Sequence, residues 1–308
     1  MNYKKIFNPR TLPTAAVGEL GDRSDGARYV FNDEITLAVN VALATRRPLL
    51  VRGTTGCGKS SLAPSVAAHL KFRYLETVIS SRTEAEHLLW HVDHLRRLRD
   101  AQANQLAVMD EYVLPGVLWW ALDPLSAEAQ WKRAGGGARY EQRTGVPPKK
   151  ANAVVLLDEI DKADPDLPNN LLVPLGSLAF HVAATAAFIA ADEHNAPLVV
   201  ITSNDERDLP AAFLRRCVEL KIEPPDAPAL LTIAARHFPD LDSKLREKVL
   251  ARIIETRPPD WKGRSLPVAA EYLDALRAAD KLGAKKTESV LDDIARLVVW
   301  KPSQNVTS

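Results

Sequence analysis

Between Glu34 and Thr45 the apolar residues Ile35, Leu37, Ala38, Val41 and Ala42 recur at spacings of three and four, which predicts a helix with Asn32 or Asp33 as its N-cap. The stripe then gives way to runs. Pro48 to Arg52 is short, apolar and ends at Gly53, and a helical pattern resumes through Leu62, Val66 and Leu70. Further strands are predicted at Tyr74 to Ile79, Ala153 to Leu157, Leu198 to Thr202, and the alternating Val218 to Ile222. Nearly continuous apolar strands separated by helical stretches predict an α/β fold with a parallel sheet covered on both faces. After Glu223-Pro-Pro-Asp226 only helical stripes remain: Leu230 to His237, then Leu245, Val249 and Ile253, then Tyr272, Leu273 and Leu276, then Val290, Leu291, Ile294 and Leu297. The chain thus divides into an N-terminal extension (1–30), an α/β core (31–225) and a helical domain (226–308).

The core carries an insertion at about 100–150, between the second and third strands, following a helix with Leu88, Leu95 and Leu98. Gly135 to Gly137 and Pro147-Pro-Lys-Lys150 read as mobile, exposed loop, and Trp119 and Trp120 as core. On one regular helix His87, His91 and His94 would share a face, a spacing able to hold a metal; the arginines that follow favour a plain solvated face. Leu167 to Ala191 lacks any Asp, Glu, Lys or Arg and is long enough to span a membrane, but Pro168, Asn169, Asn170, Pro174, Gly176 and His181 interrupt it, so burial in a soluble core is expected.

Composition narrows the choices. The 308 residues are 46% hydrophobic and 26% charged, the balance of a folded globular protein. Forty Lys and Arg stand against 39 Asp and Glu, leaving no global field to attract nucleic acid or anionic membrane. Cys57 and Cys217 are far apart in sequence and lack metal-ligand spacing, which fits a reducing cytoplasmic setting, and export is not expected, because Met1 to Pro13 holds no apolar stretch long enough for a signal-peptide core.

The chemistry gathers at strand ends. Gly53-Thr54-Thr55-Gly56-Cys57-Gly58-Lys59-Ser60, followed by Ser61, is a phosphate-binding loop between a predicted strand and a predicted helix. Its glycines let backbone N–H groups turn toward a polyphosphate, Lys59 reaches the β- and γ-phosphates, and Ser60 offers its hydroxyl to Mg²⁺. Cys57, beside Lys59 and a helix N-terminus, is expected to carry a lowered thiol pKa. Pro64, inside the same helix, costs about 3 kcal/mol unless the helix kinks. Val154 to Glu159 is an apolar strand ending in two carboxylates: Asp158 is expected to serve Mg²⁺ and Glu159 to polarise a nucleophilic water. Asn204, at the end of the next strand, is placed to orient that water. Arg215 and Arg216, ahead of the last strand, are suited to reach a neighbouring subunit's γ-phosphate.

Together the phosphate loop, Leu157-Asp-Glu-Ile-Asp-Lys162, the Asn204 strand end and Leu209 to Cys217 resemble the AAA+ ATPases, and specifically the MoxR-type branch, from about Asn32 to Ile222. The resemblance implies a P-loop NTPase αβα sandwich with a five-stranded parallel sheet, a helical lid, a homo-oligomeric ring, usually of six, and ATP between subunits. It gives the finger role to Arg216, with Arg215 as substitute, and sets an extra β-hairpin at Phe180 to Ile189. The family's late-lid arginine has no counterpart in Ser265 to Ala270, and Arg264 is the nearest candidate. Chaperone-like remodelling is implied as output, often with a von Willebrand factor A domain partner. Two rival readings remain, a nucleotide-gated switch with little turnover and a DNA-associated restriction or loader ATPase. The first is opposed by Glu159, the second by the near-zero charge.

Overall fold

The computed structural model describes residues 3–9, 28–136, 152–192, 196–261, 264–283 and 288–301. The expected loop from Gly137 to Lys150 and most of the N-terminal extension lie outside them.

The strands are β1 (Leu49–Arg52), β2 (Arg73–Val78), β3 (Trp90–Val92), β4 (Val113–Pro115), β5 (Ala153–Asp158), β6 (Ala179–Val182), β7 (Ala187–Ala190), β8 (Leu198–Ser203) and β9 (Val218–Lys221). The helices of the first part are α1 (Asp33–Thr45), α2 (Lys59–Leu70), α3 (Ala85–Leu89), α4 (His94–Gln102), α5 (Val117–Leu122), α6 (Pro124–Arg133), α7 (Asp166–Asn170), α8 (Leu172–Ser177) and α9 (Ala211–Leu214). The C-terminal part is α10 (Ala227–His237), α11 (Ser243–Glu255), α12 (Ala269–Lys281) and α13 (Glu288–Val298).

Five parallel strands form one sheet in the order β2-β5-β8-β1-β9, with Val154 opposite Leu198 and Leu50 opposite Ile201. Side chains alternate across it, as strand geometry requires. Val154 and Leu156 join α1 and α2 on one face, while Val155 and Leu157 join Trp119, Trp120 and Phe180 on the other. This two-sided burial is why the strands read as unbroken apolar runs. All five lie within a residue or two of their predicted positions, and Asn32 caps α1 by accepting from the Ile35 N–H. Buried Asn40 ties residues 3–9 to α1: its Oδ1 accepts from Ile6 N and Phe7 N at 2.6 and 2.8 Å.

The histidine stripe does not form. α3 ends at Leu89, Trp90 is extended, and β3 pairs antiparallel with β4, so His87, His91 and His94 fall on a helix, a strand and the start of another helix. Strand pairing overrides helical continuation, helped by Gly116, where an added Cβ would come within 2.5 Å of Leu88 backbone atoms. Among the described residues no group of three or more metal-ligating side chains is assembled. Trp119 and Trp120 are buried as expected, and fully buried Arg73 donates to the Trp120 carbonyl at 2.8 Å, with burial lowering its pKa to about 10.

The apolar stretch from Leu167 folds into α7, α8 and the antiparallel β6–β7 hairpin, packed on the sheet; no helix among the described residues is long and apolar enough to cross a membrane. The C-terminal helices enclose a separate core around Leu230, Tyr272, Leu276 and Ile294. Arg28 links to it by donating to the His237 carbonyl at 2.9 Å.

Candidate functional site

β1 ends at Arg52, and the next residues cannot continue as a strand: Gly53, Gly56 and Gly58 have φ of 150°, 82° and 100°. Such values favour glycine because a Cβ clashes there. At Gly53 a side chain would also run into the Ile222 carbonyl, so this glycine lets the loop pass close to the end of β9. The loop delivers the chain to α2 at Lys59, with Thr54 and Thr55 exposed and Ser60 and Ser61 half-buried in the first turn. α2 continues through Pro64 to Leu70, and nothing in the structure explains the proline.

Lys59 is only 6% exposed and spans the loop: its Nζ donates to Gly53 O at 2.7 Å, Thr54 O at 2.9 Å and Asn204 Oδ1 at 2.7 Å. Thr55 Oγ1 also reaches Asn204 Oδ1, at 3.4 Å. Beside this clasp, Asp158 Oδ1 accepts from Ser60 Oγ at 2.7 Å and from Thr202 Oγ1 at 2.6 Å. Ser60 and Asp158 are hard oxygen donors, a pair suited to Mg²⁺. Thr202, which sequence reading missed, also accepts from the Glu159 N–H at 2.9 Å; a hydroxyl directly after the apolar run Leu198 to Ile201 was the available signal.

Lys59 and Ser60 at the head of α2, Asp158 at the end of β5 and Asn204 just after β8 are therefore brought together from segments that are far apart in the chain. Glu159 follows directly on β5 in a left-handed conformation, φ 63°, and its Oε2 accepts from Lys162 Nζ at 2.8 Å. That bond raises the Lys162 pKa. Arg215 and Arg216 lie exposed on the turn between α9 and β9, with no ion pair among the described residues. Arg264 pairs with Glu271, which also accepts from Val268 N at the head of α12. The expectation for Cys57 is overturned. The thiol is buried, and burial raises its pKa, outweighing the lowering by Lys59.

A glycine-shaped anion cradle at the end of a parallel strand, opening into a helix with a lysine and a Ser–Asp oxygen pair beside it, defines a P-loop nucleotide-binding protein. The family described as the AAA domain, dynein-related subfamily, matches residues 48–217, and the chain belongs to this AAA family, whose domain implies nucleotide binding. No curated protein matches the chain. A solved point mutant of Thermotoga maritima RuvB is similar at 13% identity, covering 91% of this chain and 74% of its own, with a TM-score of 0.50. A structure of the Thermotoga maritima RuvB Holliday junction branch migration motor aligns at 14% identity over 85% of this chain and 64% of its own, with a TM-score of 0.42. The first likeness agrees with the fold, a five-stranded parallel P-loop core followed by helices.

Proposed function

We propose that the protein is a Mg²⁺-dependent ATPase whose active site is completed by a second copy of the chain. The observation that carries this is the meeting of Lys59, Ser60, Asp158 and Asn204 at one end of the sheet, with Asn204 Oδ1 2.7 Å from Lys59 Nζ and Ser60 Oγ 2.7 Å from Asp158 Oδ1. In this reading Gly53 to Ser61 bind the phosphates, and Lys59 exchanges its carbonyl partners for phosphate oxygens. Ser60 and Asp158 hold Mg²⁺, which supplies neutralising charge to the phosphates when bound. Glu159 leaves Lys162 to polarise the attacking water, Asn204 orients that water, and Arg216, with Arg215 as substitute, approaches from the neighbour.

The assembly is a homo-oligomeric ring, of six in the MoxR-type pattern, in the cytoplasm. The work done is remodelling of a protein partner, with a von Willebrand factor A domain protein as companion. Support comes from family membership, from the two exposed arginines before β9, and from the β6–β7 hairpin, which follows β5 and precedes β8 along the chain, as the resemblance to that branch implies.

The test is an ATPase assay on wild type and Glu159→Gln, with size measurement in a slowly hydrolysed ATP analogue. The expected result is Mg²⁺-dependent turnover in wild type, retained binding with about 10²–10⁴-fold slower turnover in the variant, and a ring with the analogue. Equal turnover in the two proteins, or a monomer active at full rate, defeats the reading. A salt-sensitive rise in turnover on adding DNA would favour the DNA-associated alternative instead.

A further inference from the structure

Asp161 is 3% exposed, in the short 3-10 turn Ile160–Lys162 that follows Glu159. A buried carboxylate is costly unless its oxygens are used. Here Oδ2 accepts from two backbone donors, Asn204 N at 3.0 Å and Glu206 N at 3.1 Å, while Oδ1 is buried without a protein partner among the described residues. The two donors converge because the residue between them, Asp205, is left-handed at φ 60°. Such a reversal turns backbone N–H groups toward one point and makes an anion-holding concavity, which Asp161 fills from within the protein.

The turn is held from the other side as well. Asp205 Oδ1 accepts from Arg52 Nε at 2.6 Å, and Asp205 N donates to Ser203 Oγ at 3.0 Å. Arg52 is the residue before the phosphate loop, so the Asn204 turn is clamped between the ends of β1 and β5. Asn204 has little freedom left.

We propose that Asp161 is a positioning residue: by gripping the Asn204 and Glu206 N–H groups it fixes the Asn204 amide against Lys59. This rests on the ATPase reading for its effect on turnover, but the grip itself can be measured without turnover. Two readouts on the full chain separate them, using Asp161→Ala and the near-isosteric Asp161→Asn, with Asp161→Leu keeping the test open should the first fail to fold.

Amide hydrogen exchange comes first. Exchange at Asn204 and Glu206 is expected to quicken by about tenfold or more in Asp161→Ala and by less in Asp161→Asn, with the interior strand β5 unchanged. Steady-state kinetics come second. Turnover is expected to fall by about tenfold to a hundredfold with the KM for ATP within about threefold, because misplacement of an orienting group acts on the reaction more than on binding. In a double-mutant cycle, Asn204→Ala then costs less in the Asp161→Ala or Asp161→Asn background than in wild type.

Unchanged exchange at both amides in Asp161→Ala, or in Asp161→Leu should Asp161→Ala fail to fold, or additive effects in the cycle, overturns the proposal. Should wild type bind ATP without hydrolysing it, the ATPase reading falls, and the exchange measurement still decides whether Asp161 holds the turn.

Discussion

Val268, at the head of α12, packs against Gly56 of the phosphate loop: a Cβ added at Gly56 would lie 2.6 Å from Val268 Cγ2, and the Ala270 N–H donates to Gly56 O at 3.4 Å. The C-terminal helices therefore touch the phosphate loop directly. In the proposed function, a change in the loop on binding nucleotide would act on α12 without any intermediary.

Gly56→Ala is expected to weaken the protein twice over, through the backbone conformation at φ 82° and through the clash with Val268. The loss should be about 1–3 kcal/mol. Adding Val268→Ala should restore only part, because the backbone strain remains. Urea unfolding of the two single variants and the double variant checks this, and full recovery in the double variant would leave the clash as the whole cause.

Lys59→Ala removes a charged donor from the phosphate site and should weaken ATP binding by about 10–150-fold. Ser60→Ala should act through the metal: its affinity for ATP in EDTA stays near that of wild type, while the gain on adding Mg²⁺ shrinks. Titration with a fluorescent ATP analogue, with and without Mg²⁺, separates the two.

Arg216→Ala should lower turnover by about 10³-fold while leaving ATP binding intact, since in the proposed site the arginine serves the neighbour's nucleotide. Mixed with Lys59→Ala subunits, it should regain activity, because some interfaces then combine an intact phosphate loop with an intact Arg216. Absence of recovery at every mixing ratio counts against a shared site.

Burial raises the Cys57 thiol pKa, so the reactive thiolate is scarce at neutral pH and grows as pH rises toward that higher value. Alkylation by iodoacetamide should therefore be slow at pH 7, faster at pH 9, and blocked by bound ATP. Cys217, pushed up to about 12, should react more slowly still where access is equal. Mass spectrometry of the two peptides follows both sites; the alkylated protein should lose ATP binding, and a Cys57→Ser protein that loses it as fast as wild type would refute a role for Cys57.

The five strands, the phosphate loop and the paired carboxylates were legible along the chain because each is written in neighbouring residues. An apolar run such as Val154 to Leu157 has nowhere to go but a doubly covered sheet, and three glycines within Gly53 to Gly58 mark a bend that side chains would obstruct. The histidine stripe failed for the complementary reason. Its helical spacing was real, but pairing of Trp90 with Pro115 broke the helix, and that partner lies 25 residues away.

Sequence by itself determined where the five sheet strands fall, where three glycines bend the chain after β1 and which carboxylates end the third sheet strand, since local sterics and side-chain period fix these. Tertiary structure alone decided that β8 lies between β1 and β5, that Asn204 meets Lys59, that Thr202 shares Asp158 with Ser60, and that burial makes Cys57 less acidic rather than more. Each of these depends on solvent exclusion or on donors and acceptors contributed by distant segments, which no spacing along the chain records.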